Sequence, residues 1–409
     1  MSRRPHLTSR GQIFLGLGLV VVVIGTLFGY PDLTRVGVLV ACLPLLAVVV
    51  GWRPAPPLNV RRQVHPALVA SARPAHVELT FQGRGSRLSA LQIAEEQLDP
   101  RLGAGPRFLL PRMDPGERHT VSYRVASAER GAHQLGPVQL ERRDPFGLTT
   151  RSIAVAGTTD LVVLPPVDPL GADRVHGGGL GREGQVPHMV ALHGEDDVSI
   201  RAYRDGDDLR RVHWPTTAHR GELMVRQEDR PARRRAVLLL DSRAGAYRAA
   251  PAAFEWAVRA VASVAVHLAR DGYAVHVVGA GHPGDTELGA ILRDLALVSP
   301  TTEELHPLVR DAHTLTTEGA VVVAVVSDQD PESVLAVPAV RSPGSLGVAF
   351  VLDTASFAGA DGEPSGLTAL FSAAGWRPHT IRDGDTVPGA WAAATHGAGH
   401  LRAMAGAGP

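Results

Sequence analysis

The side chains best suited to chemistry are concentrated in one stretch of the chain, residues 199–234. His213 lies near several aspartates in sequence, and a histidine beside a carboxylate can act as a general base. Such a base also needs a nucleophile and a group that orients the base, and the sequence shows no third member of such a set. The interspersed charges favour ion pairs, and therefore a structural clasp between two domains; a binding surface for a partner or ligand and catalysis by His213 are the alternatives. The candidate binding residues are Arg201, Tyr203, Gly206, Asp207, Arg210, His213 and Trp214.

Local signals predict a turn and a short helix within this stretch. Gly206 permits a turn with positive φ, and Asp207 is suited to cap a helix that begins at Asp208. Pro215 disfavours helical geometry at the preceding Trp214, so we expect the helix to end there.

A second group of polar residues follows hydrophobic strands. The runs 236–240, 320–326 and 346–352 end in Asp241, Ser327-Asp328 and Asp353, respectively. Strands at 274–279 and 378–382, with helices at 254–270, 287–298 and 367–374, complete an alternating pattern that predicts a parallel sheet covered on both faces. Functional groups in such folds gather at the carboxyl ends of the strands, where these three aspartates fall.

Composition excludes several classes of chemistry. All 41 basic residues are arginine, so neither a phosphate-binding loop with its lysine nor a Schiff-base lysine is available. The single cysteine, Cys42, lies in a hydrophobic run and cannot form a disulfide within the chain. The formal net charge is zero, which gives no indication of nucleic-acid binding. The histidines are scattered and form no H-E-x-x-H motif.

Residues 60–165 have β character. Apolar residues alternate at Val77, Leu79 and Phe81, and turn signals occur at 114–116, 136–137 and 144–147. This pattern predicts a small antiparallel β-sandwich over 60–165.

Residues 166–198 are rich in glycine and proline. Gly179-x-Gly181-x-x-Gly184 matches a dinucleotide fingerprint there, but it opens no obvious helix, so a linker is favoured.

Two apolar runs near the N-terminus predict a transmembrane hairpin. Residues 12–30 and 36–52 carry no charge, and about 20 apolar residues cross a bilayer. Arginines flank both outer ends, which indicates that both termini face the cytoplasm. A cleaved signal peptide is disfavoured because a second span follows at once. Gly25-x-x-x-Gly29 matches a small-residue helix contact, although chance explains the spacing equally well.

The central stretch also resembles a known family. The order Tyr203-x-x-Gly206-Asp207-x-x-Arg210-x-x-His213-Trp214, followed by Thr217-Ala218 and Leu223-Met224-Val225-Arg226, resembles the signature of the bacterial family called domain of unknown function 58. The stretch from Gly131 through Leu135-Gly136-Pro137-Val138 to Asp144-Pro145-Phe146-Gly147-Leu148 resembles its upstream region. Two N-terminal spans are also typical, so the resemblance covers essentially the whole chain.

The resemblance implies a C-terminal domain similar to von Willebrand factor type A domains and a partnership with a MoxR-type AAA+ ATPase. Such domains often hold Mg²⁺ through Asp-x-Ser-x-Ser with a later Thr and Asp. The matching residues are Asp241, Ser242 and Asp328, with Thr301 or Thr302, but Arg243 and Gly245 replace the two serines. A fixed positive charge at Arg243 opposes a cation. We therefore expect a salt bridge from Arg243 to Asp241 or Asp328, and no bound cofactor.

These observations predict a membrane-anchored α/β protein. Its expected parts are a transmembrane hairpin at 1–52, a β-sandwich at 60–165, a linker at 166–198, the signature segment at 199–234, a von Willebrand factor type A-like domain at 235–385 and a tail at 386–409. The expected function is a membrane-tethered cytoplasmic adaptor at the plasma membrane, which works with the ATPase on unknown client proteins. A hydrolase with an unidentified site and a metal-dependent adhesion module are the alternatives.

Overall fold

The computed structural model describes residues 5–52, 58–84, 92–144, 146–171, 198–203, 212–228, 234–282, 284–316, 320–360 and 365–395. The chain divides into two compact units, Met1–Pro166 with Leu292–Val298, and Val167–Ile291 with Ser299–Pro409. Most of the predicted linker, including Gly179, Gly181 and Gly184, lies outside the described residues.

The N-terminal residues form strand β1 (His6–Leu7) and two apolar helices, α1 (Ser9–Leu27) and α2 (Pro31–Gly51). Both helices are long and apolar enough to cross a membrane, which is consistent with membrane association. Apolar side chains such as Ile13, Leu39 and Val49 are exposed along them. In water this exposure would be unfavourable, whereas lipid tails would cover it.

Glycines form the contact between α1 and α2. Gly18 and Gly25 are buried residues of α1 that face α2. A Cβ atom on Gly18 would lie 2.5 Å from the backbone nitrogen of Ala41, so only glycine allows this approach. Gly29 does not take part in the helix contact considered for Gly25-x-x-x-Gly29, since a Cβ on Gly29 would meet nothing within 4 Å. Gly29 has φ +68° and serves the turn between the helices.

We expect Gly18→Leu to separate the two helices and Gly16→Leu to be tolerated. A Cβ on Gly16 would meet nothing within 4 Å, and both substitutions keep the span apolar. Overpacking of this kind typically costs about 1–3 kcal/mol. The measurement is the midpoint of SDS-induced loss of helix for the full chain in mixed micelles. Equal midpoints for the two variants would show that the glycine contact is unimportant.

Strands between residues 58 and 164 form the β-domain, which consists of two sheets. The strands are β2 (Leu58–His65), β3 (Leu68–Ala70), β4 (Ala75–Gly83), β5 (Gln92–Leu98), β6 (Arg107–Leu110), β7 (Arg118–Val125), β8 (Gly131–Arg143), β9 (Thr149–Ala154) and β10 (Thr159–Leu164), with a short 3₁₀ helix at Pro100–Leu102. One sheet has the order β2-β4-β7, and the other has β1-β9-β8-β10-β3, with β5 also pairing with β8 and β6 pairing with β5.

Both sheets contribute to shared apolar cores, as the predicted alternation requires. Leu79 and Phe81 of β4 pack in one cluster with Val138 and Leu140 of β8. The prediction was an antiparallel sandwich, but one pair of strands, β10 and β3, is parallel. The predicted turn at Gly136-Pro137 is also wrong: both residues lie within β8. Gly136 has φ +93° there, and its missing side chain leaves room for Arg62.

The remaining elements form two paired strands with a short helix and an α/β fold. They are β11 (Val198–Ala202), α3 (Trp214–Arg220), β12 (Met224–Glu228), β13 (Arg235–Leu240), α4 (Ala244–Tyr247), α5 (Pro251–Arg270), β14 (Ala274–Val278), α6 (Leu288–Leu297), α7 (Leu305–Leu315), β15 (Val321–Ser327), α8 (Pro331–Val334), a 3₁₀ helix at Val337–Val340, β16 (Leu346–Leu352), α9 (Thr354–Phe357), α10 (Leu367–Ala373) and β17 (Arg377–Ile381).

The predicted parallel sheet is confirmed, with the strand order β14-β13-β15-β16-β17. Helices α7 and α10 pack on one face, and Trp256 of α5 contacts Phe350 on the other. Helix α5 is long and apolar enough to span a membrane, but most of its residues are buried inside the protein, so it is a core helix. Helix 387–395, in the predicted tail, buries Trp391 and extends the folded body beyond residue 385.

Candidate functional site

The described residues of the signature segment form two paired strands and a short helix. Strands β11 and β12 pair antiparallel, with Arg201 opposite Val225. The backbone nitrogen of the half-buried Tyr203 donates to the carbonyl of Leu223 at 2.7 Å. The predicted residues Gly206, Asp207 and Arg210 lie outside the described residues, as do the other charged residues of 204–211.

The predicted helix end at Trp214 is wrong, because helix α3 begins there. The predicted start of that helix, at Asp208, lies outside the described residues. Pro215 lies in the first helical turn, where its missing N–H removes no hydrogen bond. His213 is the N-cap, and its Nδ1 atom lies 2.9 Å from the hydroxyl of Thr216. His213 therefore has a structural capping role in this segment. Trp214 is 67% exposed, so its indole ring is presented to solvent.

The carboxyl ends of β13 and β15 form a second site, at the point where the strand order reverses direction. Open α/β sheets bind ligands at such switch points. Asp241 follows β13 and is fully buried. Arg243 donates to both of its carboxylate oxygens, from Nε at 2.9 Å and from Nη2 at 2.8 Å. The predicted salt bridge between Arg243 and Asp241 is thus confirmed.

Arg243 also reaches outward to Asp330, whose carboxylate accepts from Nη1 at 3.0 Å. Asp330 has φ 53°, an uncommon left-handed conformation that aspartate tolerates better than most residues. Its side chain is 59% exposed and also accepts a hydrogen bond from the Ser333 hydroxyl. A single guanidinium therefore connects a buried carboxylate to a surface carboxylate.

These residues open into a pocket of about 610 Å³. Its lining includes the guanidinium of Arg243, Asp330 and the exposed carboxylates of Glu303, Glu304 and Glu332. The carboxylates outnumber the cation, and the cation is already paired. The pocket is therefore suited to a positively charged or hydrogen-bonding group of a partner.

The other predicted residues lie near this edge but have separate partners. Asp328 accepts hydrogen bonds from the backbone nitrogen and the hydroxyl of Thr354, at 3.2 and 2.6 Å. Asp353 caps α9 through the backbone nitrogen of Ser356. Thr301 lies beside Ser242, and its nitrogen donates to the Ser242 carbonyl at 2.7 Å. All three aspartates fall at strand ends as predicted.

Charge and burial act together on the ionisable groups here. The hydrogen bond to Asp241 raises the pKa of Arg243, so the guanidinium remains charged. The hydrogen bond from Ser333 lowers the pKa of Asp330. Burial raises the pKa of the Tyr247 hydroxyl well above its usual value, with the nearby charge of Asp241 adding to the effect. Tyr247 is therefore neutral at physiological pH.

The residues present do not fit a Mg²⁺ ion. Both oxygens of Asp241 are engaged by a guanidinium, and a second cation beside Arg243 would be repelled. We expect calorimetric titration of the full chain with MgCl₂ to show no tight, stoichiometric uptake. Saturable binding at a ratio of one, lost in Asp241→Asn, would contradict this.

Asp330 and the glutamates of the pocket were not predicted from the sequence. Asp330-Pro331 is a helix-start signal shortly after the end of β15, and it could have identified Asp330. Glu303 and Glu304 precede helix α7, which was also missed. Its apolar residues Leu305, Leu308, Val309 and Ala312 have helical spacing.

Comparisons with known proteins agree with the signature. Residues 199–336 match the family model described as "Protein of unknown function DUF58". The uncharacterized protein YeaD of Bacillus subtilis (strain 168) is 24% identical over 189 residues, 44% of this chain and 45% of that protein. The chain thus spans less than half the length of this relative.

Similarities to solved structures are weak. The CARDB domain of a Pyrococcus furiosus protein matches with a TM-score of 0.20 and 13% identity, covering 27% of this chain and 89% of that one. The alkylpurine DNA glycosylase AlkC of Pseudomonas fluorescens matches with a TM-score of 0.19 and 12% identity, covering 32% of this chain and 38% of that one. Neither carries any inference. The match over 199–336, which contains the signature residues, is consistent with a member of the DUF58 family.

Proposed function

We propose that this protein is a membrane-tethered cytoplasmic adaptor that works with a MoxR-type AAA+ ATPase in assembling or maturing other proteins. The observation that carries the proposal is the pocket at the switch point of the parallel sheet. Its lining includes the guanidinium of Arg243, which is already paired with a buried carboxylate, and several exposed carboxylates. Such an edge is suited to recognising a partner.

The N-terminal hairpin supports tethering. The start of α1 and the end of α2 both hydrogen-bond to the β-domain: the Thr8 nitrogen donates to the Leu148 carbonyl, and Arg151 donates to the Gly51 carbonyl. Both ends of the hairpin therefore lie on the side of the β-domain. The flanking arginines favour the cytoplasm for that side.

The α/β region supports a domain similar to the von Willebrand factor type A domains. An aspartate follows the first strand, and Asp328 follows the strand beside it in the sheet. Arg243 replaces the cation of that arrangement with a permanent positive charge. Recognition by this edge would then be independent of metal.

Crosslinking in cells followed by purification of the full chain tests the partnership. We expect a MoxR-type ATPase to be enriched with the wild type and with Arg270→Ala, a control at the exposed end of α5. Enrichment should fall several-fold in Arg243→Ala. Because Arg243→Ala also removes a buried ion pair, Glu303→Arg and Glu304→Arg provide exposed substitutions at the same pocket. Absence of any AAA+ ATPase from the wild-type sample would contradict the proposal.

The single natural cysteine makes the orientation testable. In a Cys42→Ser background, Leu335→Cys places a thiol at an exposed position of the C-terminal half. A membrane-impermeant maleimide should label it in inverted vesicles and leave it unlabelled in intact cells. The opposite result would place the body outside and favour the adhesion module.

A further inference from the structure

Phe146 is exposed on a turn of the β-domain. Its side chain is 71% accessible, more than most large apolar residues outside the two apolar helices. The turn is ordered by its own hydrogen bonds: the Gly147 nitrogen donates to the Asp144 carbonyl at 2.9 Å, and the Phe146 nitrogen donates to the Asp144 carboxylate at 3.0 Å. These two bonds fix the backbone nitrogens of Phe146 and Gly147 relative to Asp144, and the ring of Phe146 is left exposed.

The same turn is attached to the first residues of α1. The Thr8 hydroxyl donates to the Gly147 carbonyl at 2.7 Å, and the Thr8 nitrogen donates to the Leu148 carbonyl at 2.9 Å. A Cβ on Gly11 would lie only 2.2 Å from the Leu148 oxygen. The turn and the helix start are therefore in direct contact, and glycine at 11 permits it.

The length of α1 sets the level of this contact relative to a bilayer. Its 19 residues, Ser9–Leu27, extend about 28 Å at a rise of about 1.5 Å per residue. The hydrocarbon core is about 30 Å thick, so the helix has no length to spare. The membrane surface must then lie at the first turn of α1, where Arg10 is exposed and charged. Trp52, 66% exposed at the end of α2, belongs to the same level.

We propose that the turn carrying Phe146 is a membrane-contacting element of the β-domain, with the ring of Phe146 inserted among the lipid headgroups and upper acyl chains. The proposal rests on the membrane anchor proposed above and adds a third point of contact to its two helices. An aromatic ring transferred from water to this region is stabilised by burial of apolar surface. Contact through the turn, together with the bonds to Thr8, would restrict tilting of the β-domain on the membrane.

Lipid-borne quenchers test the insertion in the full chain. Phe146→Cys in a Cys42→Ser background is labelled with an environment-sensitive fluorophore and reconstituted into phosphatidylcholine nanodiscs containing 5-doxyl phosphatidylcholine. Leu68→Cys in the same background is the control. Leu68 pairs with Val162, which pairs with Ala132 near the start of β8, so it lies about 35 Å from the turn along that strand.

We expect quenching at position 146 to be several-fold greater than at position 68, with a blue-shifted emission. The native Cys42, exposed within α2, reports separately on the anchor when labelled in the otherwise wild-type chain. Quenching at Cys42 but not at 146 would overturn the insertion and leave the anchor intact. Absence of quenching at Cys42 as well would overturn the anchor.

Discussion

Replacing Glu96 with leucine is expected to destabilise the β-domain by about 3–5 kcal/mol, because it leaves the buried charge of Arg62 without its carboxylate. The Arg62 Nε atom donates to Glu96 at 2.7 Å, and the two side chains are 4% and 0% exposed. Arg62 also donates from Nη1 to the Gly157 carbonyl and the Thr159 hydroxyl. These neutral acceptors cannot replace the lost negative charge.

The neighbouring residue in the same strand gives a matched control. Glu95 pairs with Arg107 at 3.1 Å, but that arginine is 69% exposed. Glu95→Leu should therefore cost less than about 1 kcal/mol. Hydrogen exchange of peptides from β2, β4 and β5, measured in the full chain, reports the stability of this domain directly. Equal losses of protection in the two variants would show that burial of the pair is unimportant.

Removing both charges together should restore most of the stability. Burial raises the pKa of Glu96, and Arg62 only partly offsets this, so the pair contributes little net stabilisation. The double substitution Arg62→Met with Glu96→Leu is expected to lie close to the wild type.

The pKa of Glu96 also predicts how stability depends on pH. Since the folded state binds this proton more tightly than the unfolded state, its contribution is fully present below the usual value of 4.5 and is lost as the pH rises through the raised pKa. The double variant should lack this component. A wild type and double variant with parallel pH profiles would contradict it.

Apolar patterning predicted the elements that are buried on both faces or on alternate faces. The run 346–352 coincides with β16, and all of its residues are buried. A strand that is buried on both faces is a continuous run of apolar residues, and such a run is visible in a single sequence. Local apolar patterns also predicted the two helices α1 and α2, and strand β4, in which Val77, Leu79 and Phe81 alternate with other residues.

Positions decided by tertiary contacts were predicted less well. Pro215 is compatible both with the end of one helix and with the start of another, and pairing of Val212 with Val225 favours the second. Gly136-Pro137 has the composition of a turn, yet β8 continues through it, and the missing side chain of Gly136 leaves room for Arg62. Asp330 becomes part of the candidate site only through Arg243, which is 87 residues away in sequence.

Asp241→Asn is the second substitution expected to have a large effect, about 3–5 kcal/mol on the α/β unit. Asp241 neutralises Arg243, whose side chain is only 11% exposed, and it also accepts from the backbone nitrogens of Arg243 and Ser327. Asparagine preserves the shape and part of the hydrogen bonding but removes the charge. The guanidinium would then depend on Asp330, which is solvated and holds it less firmly.

Asp330→Asn is the matched control, since asparagine tolerates the left-handed backbone at that position. We expect a much smaller effect on denaturant unfolding of the full chain, followed by tryptophan fluorescence, to which the buried Trp376 and Trp391 contribute. The double variant Asp241→Asn with Arg243→Leu should regain stability relative to Asp241→Asn, because no buried charge then remains. If Asp241→Asn were as stable as the wild type, Arg243 would not need its buried carboxylate. The lining of the pocket would then include a mobile cation, and partner recognition at this edge would have to depend on other residues.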